Sequence, residues 1–154
     1  MTIDDAVTPE QVEAVRALTA EYAALPHVEG RWLHPDREVA ALPEPYVPPG
    51  GGMLLATHDG RPVGSVVWLR TDDEAVELRR LYVRPEARRL GVGRALSVAV
   101  LERATGVGAR MVRLDTLPEL TDAVALYLSL GFVEIPPWRE LYPGARCFEW
   151  RAPG

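Results

Sequence analysis

The stretch Glu77-Leu78-Arg79-Arg80-Leu81-Tyr82-Val83, then Arg84-Pro85-Glu86-Ala87, then Arg88-Arg89-Leu90-Gly91-Val92-Gly93-Arg94, decides how this chain is organised. A strand pattern runs into a proline, two close glycines follow, and a helical pattern with Ala95, Leu96, Ala99 and Val100 on its apolar face leaves them. Such a junction aims free backbone N–H groups and the positive end of a helix at one spot, which makes an anion site suited to phosphate or pyrophosphate. Glycines at 91 and 93 let a ligand approach the backbone, and Arg88, Arg89 and Arg94 can add charge from the rim. The bland alternative is that the two glycines only cap or pack the helix. A dinucleotide fingerprint is disfavoured, because the third glycine is missing and the loop follows the third expected strand rather than the first.

Outward from this junction the chain reads as alternating short elements. Thr8-Pro9-Glu10-Gln11 has the form of a capping box with proline at the first helical position, and Val12, Val15, Leu18, Tyr22 and Leu25 continue a helix. Residues 26–52 are rich in Pro and Gly, with one short helical possibility at 36–42. A hairpin at 53–57 and 62–69 turns through Asp59-Gly60, and a further strand spans 75–83. The glycine-loop helix runs to about residue 105, and a strand at 111–116 follows. Pro118 is expected to open another helix with Ala123, Leu126, Tyr127 and Leu130 on its stripe, stopped by Gly131. Strands at 132–135 and 146–150 flank a Pro-rich connection. The fold class expected is α+β (mixed α/β), one domain over residues 1–154, its sheet covered by helices.

Composition narrows the chemistry. All 17 basic residues are arginine, set against 22 acidic ones for a net charge of -5. Without lysine there is no Schiff base and no phosphate-gripping P-loop lysine. A single cysteine, Cys147, and three histidines, His27, His34 and His58, argue against an intrachain disulfide or a zinc site. The acidic balance argues against nucleic acid and slightly favours a cationic small molecule. No apolar run approaches the roughly 18 residues of a membrane span, and no signal peptide pattern is present, so a cytoplasmic protein without a membrane partner is expected.

Arg88-x-x-Gly91-x-Gly93 resembles the Q/R-x-x-G-x-G/A signature of the GNAT superfamily of acyl-CoA-dependent N-acyltransferases. Residues 77–83 look like that family's fourth strand, and Leu126-Tyr127 with Leu130-Gly131-Phe132 matches its "LY…LGF" helix and strand. Leu114-Asp115-Thr116, Leu42-Pro43, Tyr46, Pro48-Pro49 and Pro136-Pro137 extend the likeness to one bacterial branch over roughly residues 36–150. The resemblance implies a mostly antiparallel, splayed sheet of about six or seven strands with about four helices. It further implies acetyl-CoA as cosubstrate, with no metal. The backbone of Arg88, Arg89, Leu90, Gly91, Val92, Gly93 and Arg94 would hold the pyrophosphate, and Leu81, Tyr82 and Val83 would pair with the pantetheine arm. Many relatives form dimers, so a homodimer is compatible with it.

Acyl transfer to an amine needs a neutral nucleophile, a held thioester and a proton for the leaving thiolate. Glu77 matches the catalytic glutamate of the histone-acetyltransferase branch, and burial would raise its pKa and improve it as a base. The competing reading pairs it with Arg79. Tyr127 matches the family tyrosine that protonates the thiolate, with a plain buried tyrosine as its rival. The backbone N–H of Leu81 is the expected donor to the thioester carbonyl. Many members carry Asn where Leu120 stands, so that contact is absent here or supplied by another group. Among aromatic residues of the two irregular stretches, Trp32, Tyr46, Trp138 and Tyr142, the substrate candidates are Tyr46 and Trp138. The acceptor expected is the primary amine of a small molecule or peptide. A non-catalytic acyl-CoA-binding domain is the rival, since it would need neither Glu77 nor Tyr127.

Overall fold

The computed structural model describes residues 1–154. Its elements are β1 (Thr2–Asp5), α1 (Pro9–Ala23), α2 (Pro35–Ala41), β2 (Gly51–His58), β3 (Arg61–Arg70), β4 (Ala75–Val83), a 3-10 turn (Pro85–Leu90), α3 (Val92–Gly106), β5 (Met111–Thr116), α4 (Thr121–Ser129), β6 (Val133–Ile135) and β7 (Arg146–Arg151). The strands form one seven-stranded sheet in the order β1-β2-β3-β4-β5-β7-β6. All neighbours are antiparallel except β4 and β5.

Local chemistry sets several of these boundaries. Thr8 accepts from the Gln11 amide at 3.2 Å while the Gln11 side chain accepts from the Thr8 amide at 3.0 Å, so α1 starts at the expected capping box. Asp59 and Gly60 both take positive φ, 51° and 74°, as a two-residue hairpin turn between β2 and β3 demands. Two boundaries differ from the sequence reading. β1 was not expected: only Ile3 of its four residues is partly buried, so it is held by backbone pairing to β2 and carries no alternating pattern. Pro118 lies ahead of α4 in a turn closed by the Leu120 amide on the Leu117 carbonyl, and the helix begins three residues later.

Two apolar clusters cover opposite faces of the sheet. On one, Leu54, Val66, Val76, Leu78, Val112, Leu114 and Phe148 pack against Val92, Leu96 and Val100 of α3 and Tyr127 of α4. On the other, Met53, Leu55 and Val67 meet Val15 and Leu18 of α1, with Tyr46 and Tyr82. Only the β1–β4 half has that second apolar cover. Over β5 and β7 the same face carries Arg113, Asp115 and Glu149, roofed by the segment that follows β6. No helix is long and apolar enough to cross a membrane.

The parallel β4–β5 ladder is short: Ala75, Val76 and Glu77 pair with Met111, Val112 and Arg113, and then the strands part. Beyond Glu77 the side of β4 turned toward β5 has no strand beside it. The packing of β3 and α3 against this end of β4 is close. At Gly64 of β3, an added Cβ would sit 2.9 Å from the Tyr82 carbonyl oxygen and 3.0 Å from Val92. Because one of those atoms is backbone, Gly64→Ala should destabilise the protein by about 1–3 kcal/mol, read as a lowered urea midpoint at unchanged m-value.

Candidate active site

The fork between β4 and β5 opens into a cavity of about 500 Å³. Its floor is formed by residues 77–81 of β4 and 115–117 at the end of β5. One wall comes from Tyr22, Arg31, Trp32, Leu33 and Glu38, another from Leu120, Ala123 and Tyr127, and a third from Arg139, Leu141 and Tyr142.

Between Arg79 and Tyr82, β4 takes three steps while β3 takes two from Val67 to Ser65, so β4 carries one extra residue. Arg80 sits in that bulge with φ 57°, a left-handed conformation that costs a non-glycine residue about 1–3 kcal/mol. The bulge breaks the alternation of the strand. Arg79 and Arg80, which would otherwise point to opposite faces, both line the cavity.

Glu77 is 2% exposed and is clamped: Arg79 reaches its two oxygens at 3.1 and 3.3 Å, and Arg139 donates at 2.7 Å. Burial pushes the carboxyl up, but the hydrogen bonds and charges of Arg79 and then Arg139 outweigh it and hold the group below the ordinary carboxylate range. The expected net upward shift is therefore corrected, because the ion pairs dominate desolvation. The pairing with Arg79 that competed with a base role is present. On the same face Arg113 donates to Glu149 at 3.0 Å, as does Arg151, making a row of charges across β4, β5 and β7.

Tyr127 projects from α4 into the cavity wall with its ring 5.6 Å from Phe132, and its hydroxyl takes part in none of the side-chain hydrogen bonds. Burial, with smaller contributions from Tyr22 and Asp115, raises its pKa, so the hydroxyl stays a donor at physiological pH. The two substrate candidates lie outside the lining. Tyr46 is buried behind Arg79, accepting from its Nη1 at 3.5 Å, and Trp138 lies 5.9 Å from the Arg113 and 5.5 Å from the Arg139 guanidinium, covering the charged row. Their places are taken by Tyr22, Trp32, Asp115, Arg139 and Tyr142. Asp115 accepts from Tyr142 at 3.2 Å and Arg139 at 3.4 Å. The sequence holds a signal for Asp115: Arg113 and Asp115 share one face of β5 while Val112 and Leu114 occupy the other, so the first face cannot be a wholly apolar core.

On the other side of the fork, Gly91 holds φ 74° at the start of α3, with no side-chain cap on the helix. No atom lies within 4 Å of a Cβ built there, so the approach to the first-turn amides of Val92, Gly93 and Arg94 is open. Val92 and Tyr82 turn their side chains into the apolar clusters, which leaves only their backbone for a ligand. Arg88, Arg89 and Leu90 are exposed on the 3-10 turn, while Arg94 donates to Ser129 of α4 at 2.9 Å. Leu81 lines the cavity, and Val83 packs against the larger apolar cluster. An uncapped helix end beside an unpaired strand edge suits a ligand with a phosphate group and an extended amide-bearing arm, which is the form of coenzyme A.

A sheet that forks at this point, with an anion cradle on one side and a polar cavity on the other, defines an acyl-CoA-dependent acyltransferase architecture. The chain belongs to the acetyltransferase (GNAT) family, whose sequence profile matches residues 15–132. It is 33% identical over 132 residues to an uncharacterised N-acetyltransferase of Schizosaccharomyces pombe, covering 84% of this chain and 81% of that one. A second relative, the uncharacterised N-acetyltransferase YjgM of Escherichia coli, is 26% identical over 88% of this chain and 80% of its own. Among solved structures, a GNAT-family acetyltransferase of Staphylococcus aureus superposes with TM-score 0.81 at 18% identity, covering 97% of this chain and 99% of that one. YncA of Salmonella typhimurium, solved with acetyl-CoA, gives 0.73 at 19% identity over 100% and 98%. The chain is thus an acyl-CoA-dependent N-acetyltransferase, and its family uses acetyl-CoA.

The clamp on Glu77 has a pH signature. Its folded pKa lies below the unfolded value of about 4.3, so its stabilisation is complete above that value and is lost as pH falls through the folded one. Glu77→Gln should lower stability at neutral pH by about 3 kcal/mol and flatten the fall in acid, checked by urea unfolding from about pH 7 to pH 3.

Proposed function

We propose that the protein transfers the acetyl group of acetyl-CoA to a primary amine by direct attack in a ternary complex, with residues 1–154 acting as one cytoplasmic catalytic unit. The observation that carries this reading is the Tyr127 hydroxyl, which has no protein partner and lines the same cavity at the strand fork as the ionised Glu77. An acyl-CoA-binding domain without catalysis needs neither group there.

In this reading Val92, Gly93 and Arg94 give first-turn amides to the pyrophosphate, with Gly91 leaving the approach open and Arg88, Arg89 and Leu90 forming the rim. The free side of β4 from Leu81 through Tyr82 to Val83 pairs with the pantetheine arm. The amide of Leu81 polarises the thioester carbonyl. The amine nitrogen bonds to the carbonyl carbon, and the carbon–sulfur bond breaks as the tetrahedral intermediate collapses. Tyr127 donates a hydrogen bond to the departing sulfur, and a proton released by the amine nitrogen completes the thiol.

Glu77 cannot store that proton at neutral pH, since two guanidinium groups hold it ionised. Its part is to orient a water molecule that accepts the proton, and the loss of the first ammonium proton is set by the amine itself. The acid limb of kcat/KM should therefore move with the pKa of the acceptor across a series of amines and not stay at a fixed carboxylate value.

Free-thiol release with acetyl-CoA tests the assignment. Tyr127→Phe should lower kcat by about 100-fold with acetyl-CoA affinity changed less than about twofold. Wild-type turnover in that variant, or tight acetyl-CoA binding without thiol release over a broad amine panel, would overturn the reading.

A further inference from the structure

The cavity that takes the acceptor has a charge pattern unlike that of the whole chain. Four guanidinium groups, Arg31, Arg79, Arg80 and Arg139, line the cavity with three carboxylates, Glu38, Glu77 and Asp115, and Arg31 is held by a fourth, Glu119, at 3.1 and 3.2 Å, so both signs of charge are matched there in a protein whose net charge is -5. A simple alkylammonium or a polyamine uses only the negative groups of such a lining, whereas a molecule bearing both an amine and an anion uses groups of both signs.

We propose that the acceptor is a zwitterionic amine, an amino acid or a close relative, whose carboxylate is received by Arg80 and whose ammonium end is received by Asp115 and Tyr142. The inference rests on the acetyltransferase reading and narrows its acceptor. Arg80 is built for a second anion. Its guanidinium carbon lies 3.9 Å from the centroid of the Trp32 ring, and its Nη2 donates to both oxygens of Glu38 at 3.2 Å. Glu38 in turn accepts from the Trp32 indole N–H. One face and one corner of the fork are thus fixed, while Nη1 has no protein partner and Nε is buried without one. A planar guanidinium held in this way presents Nη1 in a set direction, which suits reception of a carboxylate oxygen.

Asp115 offers the opposite charge. It accepts from Tyr142 and Arg139, and two oxygens retain room for an ammonium hydrogen. The Tyr22 hydroxyl belongs to the same cavity lining; burial raises its pKa, with Arg80 lowering it and Asp115 raising it further, so it stays protonated. It has no protein partner and can bond to either group of the ligand. The bulge in β4 explains why such a site can exist beside the reaction centre, since without it Arg80 would turn away from the cavity.

Calorimetry on the protein saturated with coenzyme A, which has no acyl group to transfer, tests the site directly. The probes are the common L-amino acids, β-alanine and 4-aminobutyrate, each against its own carboxamide. At least one acid should bind about tenfold or more tighter than its amide, Arg80→Gln should erase the difference, and Arg80→Lys should keep part of it. Equal affinities for acids and amides, or no binding by any acid, overturns the proposal, and this comparison in the unaltered protein needs no variant to fold. Thiol release with acetyl-CoA over the same panel separates the two readings. Release by acids and amides alike sinks the zwitterion site and leaves the transferase. Acid-selective binding without release keeps the site and sinks the transferase.

Discussion

Where β4 and β5 part, a carboxylate has to be kept charged with almost no access to water. Removing an ion from water costs several kcal/mol, so Glu77 persists there only because Arg79 and Arg139 come to it from two different parts of the chain. Arg79 is a neighbour on β4, but Arg139 belongs to the segment after β6. The need to neutralise Glu77 therefore pins that segment over the open half of the sheet. The pinned segment brings Tyr142 to Asp115 and Trp138 to Arg113, and so completes one wall of the cavity. A stable roof follows from one buried charge.

The two sides of the fork do their work with different parts of the polypeptide. Toward α3 the structure offers main-chain groups: an uncapped helix end, a glycine in a left-handed turn and a strand side with no neighbour. Such groups suit a ligand that never changes. Toward α1 it offers side chains on irregular segments, which can vary without disturbing the sheet. This division accounts for a family that keeps its acyl donor.

It also accounts for what could be read beforehand. The bounds of β4 and β5, the capping box of α1 and the two-glycine loop depend on local patterns, and the structure places them as expected. Glu77 and Tyr127 could be located because they sit at fixed offsets on those elements. Tyr46 and Trp138 stand out in the sequence only as aromatic residues in loops, and periodicity says nothing of which way a loop residue turns. Arg139 and Asp115 escaped because their role arises from contacts between distant segments. The edge strand β1 escaped for another reason, since backbone pairing leaves no mark on side-chain pattern. The arginines that line the cavity are likewise hidden in the net charge of the whole chain. Net charge averages over a surface, while a ligand meets only the groups that face it.

Three backbone pairs join β4 to β5, and these are the only strand pairs that connect the β1–β4 half of the sheet to the β5–β7 half. Mechanically the sheet is a clip with a narrow spring. Anything seated in its jaws would tie the two halves together at a second point, far from the first. The protein should then resist opening chiefly through its ligand, and amide exchange in β5 and β7 would slow on binding more than exchange in β2 and β3. A fold that leaves a gap for its cosubstrate has also made that cosubstrate a structural member.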